Sequence, residues 1–124
     1  MIPPPARVSA TIVTGPTAAA REALVGASLV PGQHSAAILE GLPDGRSLLL
    51  DRSDKLVLHR VAPACLCCTG NLVLRVTLNR ILRLRPDRLF IGVASPDHLD
   101  QLRSWLRHPP YDQLLELTPD LLCT

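Results

Sequence analysis

Three of the four cysteines in the chain lie within the run 65–68, which reads Cys-Leu-Cys-Cys. Neighbouring cysteines are strained when they are bridged to each other, so in a reducing compartment such a run is typical of metal or redox chemistry. Thiolates bind zinc and other soft divalent metals, and zinc prefers four ligands. The run predicts a zinc site with three thiolate ligands, from Cys65, Cys67 and Cys68. Glu40, His59 or a water molecule would complete the coordination shell.

Two other interpretations of the cysteine run stay open. A nearby cation such as Arg60 favours the thiolate form of a cysteine, which serves thiol redox chemistry as well as metal binding. The cysteines are also compatible with no metal role at all, since free cysteine is often buried as a small apolar residue. Cys123 stands apart from the run, near the end of the sequence, and is expected to fray rather than to act as a ligand.

Alternating strands and helices are predicted to position the cysteine run. The β-branched segment 7–14 predicts a strand, and Thr17 is expected to cap a helix over 18–30. Further strands are predicted at 34–40, 47–51, 55–61, 88–93 and 112–117. Helices are predicted around Leu74, Leu78 and Ile81, continuing to Arg85, and from Ser95-Pro96 to Arg107. The alternation over 72–78 also suits a strand.

This element order predicts an α/β domain of three layers, with a mostly parallel sheet between flanking helices. One domain is expected over 8–124, after a Pro-rich lead-in at 1–7. Ligands of such sheets collect at the carboxyl ends of the strands. The loop after the first strand and the cysteine segment 62–70 are therefore the expected places for chemistry.

The run 65–68 follows a predicted strand and precedes a predicted helix, a turn at Pro86-Asp87 and the strand at 88–93. In this order and spacing, residues 55–106 resemble the CobW family of P-loop GTPases, which act as metal-handling chaperones. The resemblance extends back to the first strand and covers about 100 residues. It implies a truncated P-loop NTPase-like fold and a role in zinc handling, with the cysteines of the run as the metal ligands.

The segment after the first strand stands where this family carries its phosphate-binding loop, Gly-x4-Gly-Lys-Ser/Thr. Gly15 matches the first glycine, but Ala20 replaces the second, and its Cβ hinders the approach of phosphate to the backbone. Arg21 replaces the lysine, and Glu22 replaces the hydroxyl residue that binds magnesium. An Asn-Lys-x-Asp motif is also missing from the sequence. The resemblance therefore implies a vestigial nucleotide site that neither holds GTP tightly nor hydrolyses it.

The amino-acid composition argues against some classes of binding partner. The net charge is only +2, which is too mild to indicate a polyanionic partner. One Phe, one Tyr and one Trp give little surface for stacking bases, so no nucleic acid is expected. No apolar run approaches the ~20 residues that span a bilayer, so a cytoplasmic protein without a membrane partner is predicted.

Two surfaces are candidates for protein contacts. Five leucines near the end of the sequence are expected to need cover, which favours a homo-oligomer or a larger CobW-like partner. They are Leu114, Leu115, Leu117, Leu121 and Leu122. An arginine face on the helix before Pro86 suits either solvent or an acidic partner. Its members are Arg75, Arg80, Arg83 and Arg85.

The sequence thus favours a protein that binds zinc or serves metal homeostasis and that does not act as an enzyme. One alternative is residual GTP binding or hydrolysis, for which Gly15 and Arg21 remain in the loop. Another is an interaction protein that pairs with itself or with a full-length relative.

Overall fold

The computed structural model describes residues 7–30, 32–40, 56–61, 72–93, 99–109 and 111–122. The first half of the chain holds the elements β1 (Val8–Thr14), α1 (Ala18–Ser28), β2 (Ser35–Glu40) and β3 (Leu56–Val61). The second half holds α2 (Leu72–Arg83), β4 (Arg88–Val93), α3 (Leu99–Leu106), α4 (Tyr111–Leu114), β5 (Leu115–Leu117) and β6 (Leu121–Leu122). None of the helices in these ranges is long and apolar enough to cross a membrane.

The described strands form one sheet in the order β3-β2-β4-β1-β5, and β6 pairs with β1 further along the same side. Every pair is parallel. Strands covered on both faces read as continuous apolar runs, and β2 is accordingly buried along its whole length. The parallel sheet with flanking helices confirms the predicted three-layer α/β fold.

Buried side chains form two clusters, one on each face of the sheet, because successive residues of a strand point to opposite faces. The cluster under α1 contains Val13, Val25, Ala37, Leu39 and Phe90. The cluster on the other face joins the strands to α2 and α3 and includes Ile12, Ile38, Ile91, Leu74, Leu78, Ile81, Leu102 and Leu106. The helices after β1 and β4 thus lie on opposite faces, which makes the carboxyl ends of these two neighbouring strands a topological switch point.

Local signals explain where the helices begin and end. The Thr17 hydroxyl caps α1 by accepting the N–H of Ala20 at 3.0 Å. In α2, Leu74, Leu78 and Ile81 are all fully buried, and this helical spacing excludes the alternative of a strand over 72–78. After α2 the chain turns through Arg85, whose φ of 51° lies in the left-handed region.

The prediction of a strand over 112–117 is wrong in its first half, where the chain forms the single turn α4 before β5. Contacts of Tyr111 stabilise the turn, since the centroid of its ring lies 4.6 Å from that of Trp105 and its hydroxyl donates a hydrogen bond to Asn79 Oδ1 at 3.1 Å. The short strand β6 is missing from the sequence prediction.

The leucines of this region contribute to the core of the chain itself. Leu115 is buried, and Leu117 and Leu121 pack against the two clusters, whereas Leu114 is 43% exposed. Three of the five leucines expected to need a partner are thus covered by their own chain. The lead-in at 1–6, the strand predicted at 47–51 and the helix start at Ser95-Pro96 lie outside the described residues.

Candidate functional site

The carboxyl edge of the sheet brings together the ends of β1, β2 and β3, because all three strands run in the same direction. Glu40 is the last residue of β2 and pairs in register with Val61, the last residue of β3. The cysteine run begins four positions after Val61, and Cys65, Cys67 and Cys68 lie outside the described residues.

The two other predicted metal ligands are described. The side chain of Glu40 is 2% exposed, and His59 is half-buried two positions before the end of β3. His59 pairs in register with Ile38, so strand alternation assigns His59 and Glu40 to the face of the sheet that α2 covers. Within the described residues, no three His, Cys, Asp or Glu side chains gather into a group that could hold a metal ion. A metal site at this edge would therefore need ligands from outside the described residues.

On the α1 side of the same edge, the side chain of Arg21 makes hydrogen bonds inside the chain and does not face an open ligand site. It is 5% exposed, and its terminal nitrogens Nη1 and Nη2 donate to the carbonyl oxygens of Gly15 at 2.8 Å and Glu40 at 3.2 Å, respectively. Burial lowers the pKa of Arg21, while the carboxylates of Glu40 and Glu22 act in the opposite direction. The guanidinium thereby fastens the loop after β1 to the end of β2.

Glu22 is the second buried charge beside the loop. It is 4% exposed, and its Oε1 is ion-paired with the Nη1 of Arg60 on β3. Its other oxygen, Oε2, is buried and has no hydrogen-bond partner in the described part of the chain. The ion pair of Glu22 connects α1 to β3, and the hydrogen bonds of Arg21 connect the loop to β2. Glu22 and Arg21 therefore both link elements of the fold.

These contacts do not suit the binding of a nucleoside triphosphate with magnesium. The carbonyl oxygen of Gly15 accepts a hydrogen bond from the guanidinium of Arg21. The loop therefore surrounds a cation of the chain itself instead of a bound anion. The hydroxyl of Thr17 already occupies the N–H of Ala20, one of the free donors that a helix start offers to phosphate. The carboxylate of Glu22 occupies the position where the motif needs a magnesium-binding hydroxyl. No step through a nucleotide follows from this arrangement.

Sequence reasoning missed one member of this site. The sequence suggests Arg60 only as a cation near the cysteines, whereas its guanidinium pairs with Glu22, 38 positions earlier. The signal in the sequence is a charged residue in a mostly apolar strand and another charged residue in the first half of the helix α1. Its partner could not be chosen without the order of the strands.

Comparisons of the chain with protein-family models, with curated proteins and with solved structures found no significant match. The resemblance to the CobW family therefore rests on the motifs in the sequence. The fold and the contacts at the carboxyl edge are independent of that resemblance.

Proposed function

We propose that this chain is a metal-binding protein that holds zinc through Cys65, Cys67 and Cys68 and does not hydrolyse GTP. The observation that carries the proposal is the position of Glu40. This buried carboxylate ends β2 directly beside Val61, from which the chain leads into the cysteine run.

The backbone register of β2 and β3 supports this choice of fourth ligand. Adjacent strands lie about 4.8 Å apart, so the backbones of Glu40 and Val61 are close neighbours. Cys65 follows Val61 by four residues, which span at most about 14 Å when fully extended. Three thiolates and one carboxylate form a tetrahedral donor set that suits zinc. His59, on the same face of the sheet, is the second candidate for the fourth ligand.

The contacts of the loop after β1 support the second half of the proposal. Arg21 would have to leave two carbonyl oxygens before it could approach a phosphate, and Glu22 would have to leave Arg60. Moving a buried charge away from its partners is costly, so the loop favours its closed arrangement. Metal binding in this proposal therefore proceeds without a nucleotide cycle.

Metal analysis of protein purified without a histidine tag tests the zinc site. We expect stoichiometric zinc in the parent, its loss when Cys65, Cys67 and Cys68 are replaced by Ser, and its retention in the matched control Cys123→Ser. Cobalt(II) in place of zinc should give the visible absorption of thiolate coordination, and Glu40→Gln should weaken metal affinity at least about tenfold. Equal zinc content in the triple variant and the parent would contradict the proposal.

Titration of a fluorescent GTP analogue with magnesium tests the nucleotide half separately. We expect no saturation at high micromolar protein. Saturation would favour the alternative of residual GTP binding, and its loss in Arg21→Ala would then assign the binding to the loop after β1.

A further inference from the structure

A groove of about 480 Å³ opens at the amino edge of the sheet, on the side opposite Gly15 and Glu40. It lies between the start of β1, the end of α2 and the turn that leads into β4. Much of its lining is apolar, from Val8, Leu82, Pro86 and Leu114. The exposure of Leu114 means that the groove offers an apolar contact that the chain does not cover with its own described residues.

Arginines lie within this lining and in the helix turn that precedes it in the chain. Arg7 and Arg85 line the groove, and Arg80 and Arg83 stand in the last turn of α2. All four are exposed, and α2 contains no acidic residue. Within the described residues, the side chains of Arg80, Arg83 and Arg85 make no hydrogen bond or ion pair.

Acidic groups at this end are fewer and partly engaged. Asp87 lines the groove, and its Oδ2 accepts the backbone N–H of His34 at 2.9 Å. Asp112 is half-buried, and its carbonyl oxygen accepts a hydrogen bond from Arg7 at 3.4 Å. Arginine charge is therefore in excess around the groove, although the whole chain has a net charge of only +2.

We infer that the amino-edge groove binds an acidic segment of a partner protein that carries a leucine-sized apolar side chain. The carboxylates of such a segment would pair with Arg83 and Arg85, while its apolar side chain would enter the groove beside Leu114. Arginine is well suited to this task, because its planar guanidinium binds carboxylates with two parallel hydrogen bonds. This inference does not depend on the proposed zinc site.

A protein segment explains the surface better than a nucleic acid does. Single-stranded nucleic acids are held by exposed aromatic rings as well as by cations. Phe90 and Tyr111 are buried, and Trp105 packs against the core. The groove thus offers leucine and proline contacts in place of a stacking surface, and these suit an apolar side chain rather than a base.

The test begins with random dodecapeptides displayed on phage and selected on the full chain. We expect enrichment of peptides that combine several Asp or Glu residues with Leu or a similar side chain. The affinity of the enriched peptide is then measured by fluorescence anisotropy. It should fall with rising salt, because the exposed charges are screened. Selection of no peptides, or of peptides without acidic residues, would overturn the inference.

Variants locate the binding surface. The double substitution Arg83→Ala with Arg85→Asn should weaken binding of the enriched peptide at least about tenfold, and Leu114→Ser about threefold or more. Asn is used at position 85 because it tolerates the left-handed backbone there. The matched control is Arg107→Ala, an exposed arginine at the end of α3 that does not line the groove.

Control measurements distinguish binding in the groove from unfolding and from a general effect of charge. Thermal melts of all variants should match the parent, since the changed side chains are exposed. An equal loss of affinity in Arg107→Ala would show a general charge effect and would overturn the groove as the site. Displacement of the peptide by an equal concentration of a single-stranded oligonucleotide would assign the surface to nucleic acid and reject the peptide partner.

Discussion

The two edges of this parallel sheet use the same kinds of charged residue in opposite ways. At the carboxyl edge, Arg21, Glu22 and Glu40 are at most 5% exposed, and Arg21 and Glu22 are bonded to other parts of the chain. At the amino edge, Arg83 and Arg85 are exposed and make no such bonds within the described residues. Burial forces a charge to find an internal partner, whereas an exposed charge remains available to another molecule.

This comparison changes where ligands are expected. In parallel α/β sheets the carboxyl edge is the usual binding edge. Among the described residues, Arg21 and Glu22 occupy the α1 side of this edge with contacts inside the chain, and strand alternation assigns Glu40 and His59 to the α2 side, where we propose the metal. The groove at the opposite edge carries the charges that can still bind a partner.

Removing one member of the buried ion pair should have the largest effect on stability. We expect Glu22→Ala to lower the free energy of unfolding by about 2–3 kcal/mol, because Arg60 and Arg21 lose a buried counter-charge. Arg83→Ala at the exposed edge should change it by less than about 0.5 kcal/mol. Urea denaturation measures both. Equal effects would erase the distinction between the two edges.

Close packing at the carboxyl end of β4 should give the next largest effect. A Cβ on Gly92 would lie 2.7 Å from Cδ2 of Leu39 on β2. Gly92→Ala should therefore cost about 1–2 kcal/mol, because the leucine must move within a packed core. The same denaturation experiment on a Leu39→Ala background should show a much smaller cost, and an unchanged cost would assign the effect to the backbone.

The turn at the amino edge should respond in the opposite direction. Arg85 holds a φ of 51°, which glycine adopts without the steric cost that a Cβ brings. We expect Arg85→Gly to stabilise the fold by about 0.5–1 kcal/mol. Arg83→Gly, two positions earlier within α2, should destabilise it by about 1 kcal/mol. If both glycines destabilise, the strain at Arg85 is not relieved by losing the side chain.

The smallest effect at neutral pH belongs to Tyr111, since it appears only in alkali. Burial raises the pKa of Tyr111 above its ordinary value of about 10, and the guanidinium of Arg75 opposes the shift. A folded-state pKa above the unfolded one gives stability that is complete below pH 10 and lost as the pH rises through the folded value.

Tyrosinate absorbance follows this group directly, because Tyr111 is the only tyrosine. Its titration midpoint should lie above the ordinary value and should move higher in Arg75→Ala, which removes the opposing charge. A midpoint at or below the ordinary value would mean that the ring is open to water in solution.

Local signals made much of the fold predictable. Thr17 marked the start of α1, and the spacing of Leu74, Leu78 and Ile81 marked α2 as a helix. The strand predicted over 112–117 failed because the contact of Tyr111 with Trp105 and Asn79 depends on how α2 and α3 lie together. Periodicity within a short segment cannot report such a contact.

The loop after β1 was predictable in position but not in its hydrogen bonds and ion pairs. The loop after β1 was expected at the carboxyl edge, and Arg21 and Glu22 were expected to spoil a phosphate site. Their actual partners are Gly15, Glu40 and Arg60, and these pairings follow from the order β3-β2-β4-β1 in the sheet. That order depends on the total packing of the chain, which no single motif encodes.

The strand order also determines when β1 can complete its hydrogen bonds during synthesis. Its neighbours are β4 on one side and β5 with β6 on the other, so neither β2 nor β3 pairs with it. On the side of β5, the hydroxyl of Thr11 in β1 is hydrogen-bonded to the hydroxyl of Thr118, 107 positions later in the chain. Contacts between such distant residues slow folding, because a long loop must close before they form. The strand nearest the start of the chain therefore gains its last partners only after the ribosome has made residues 115–122.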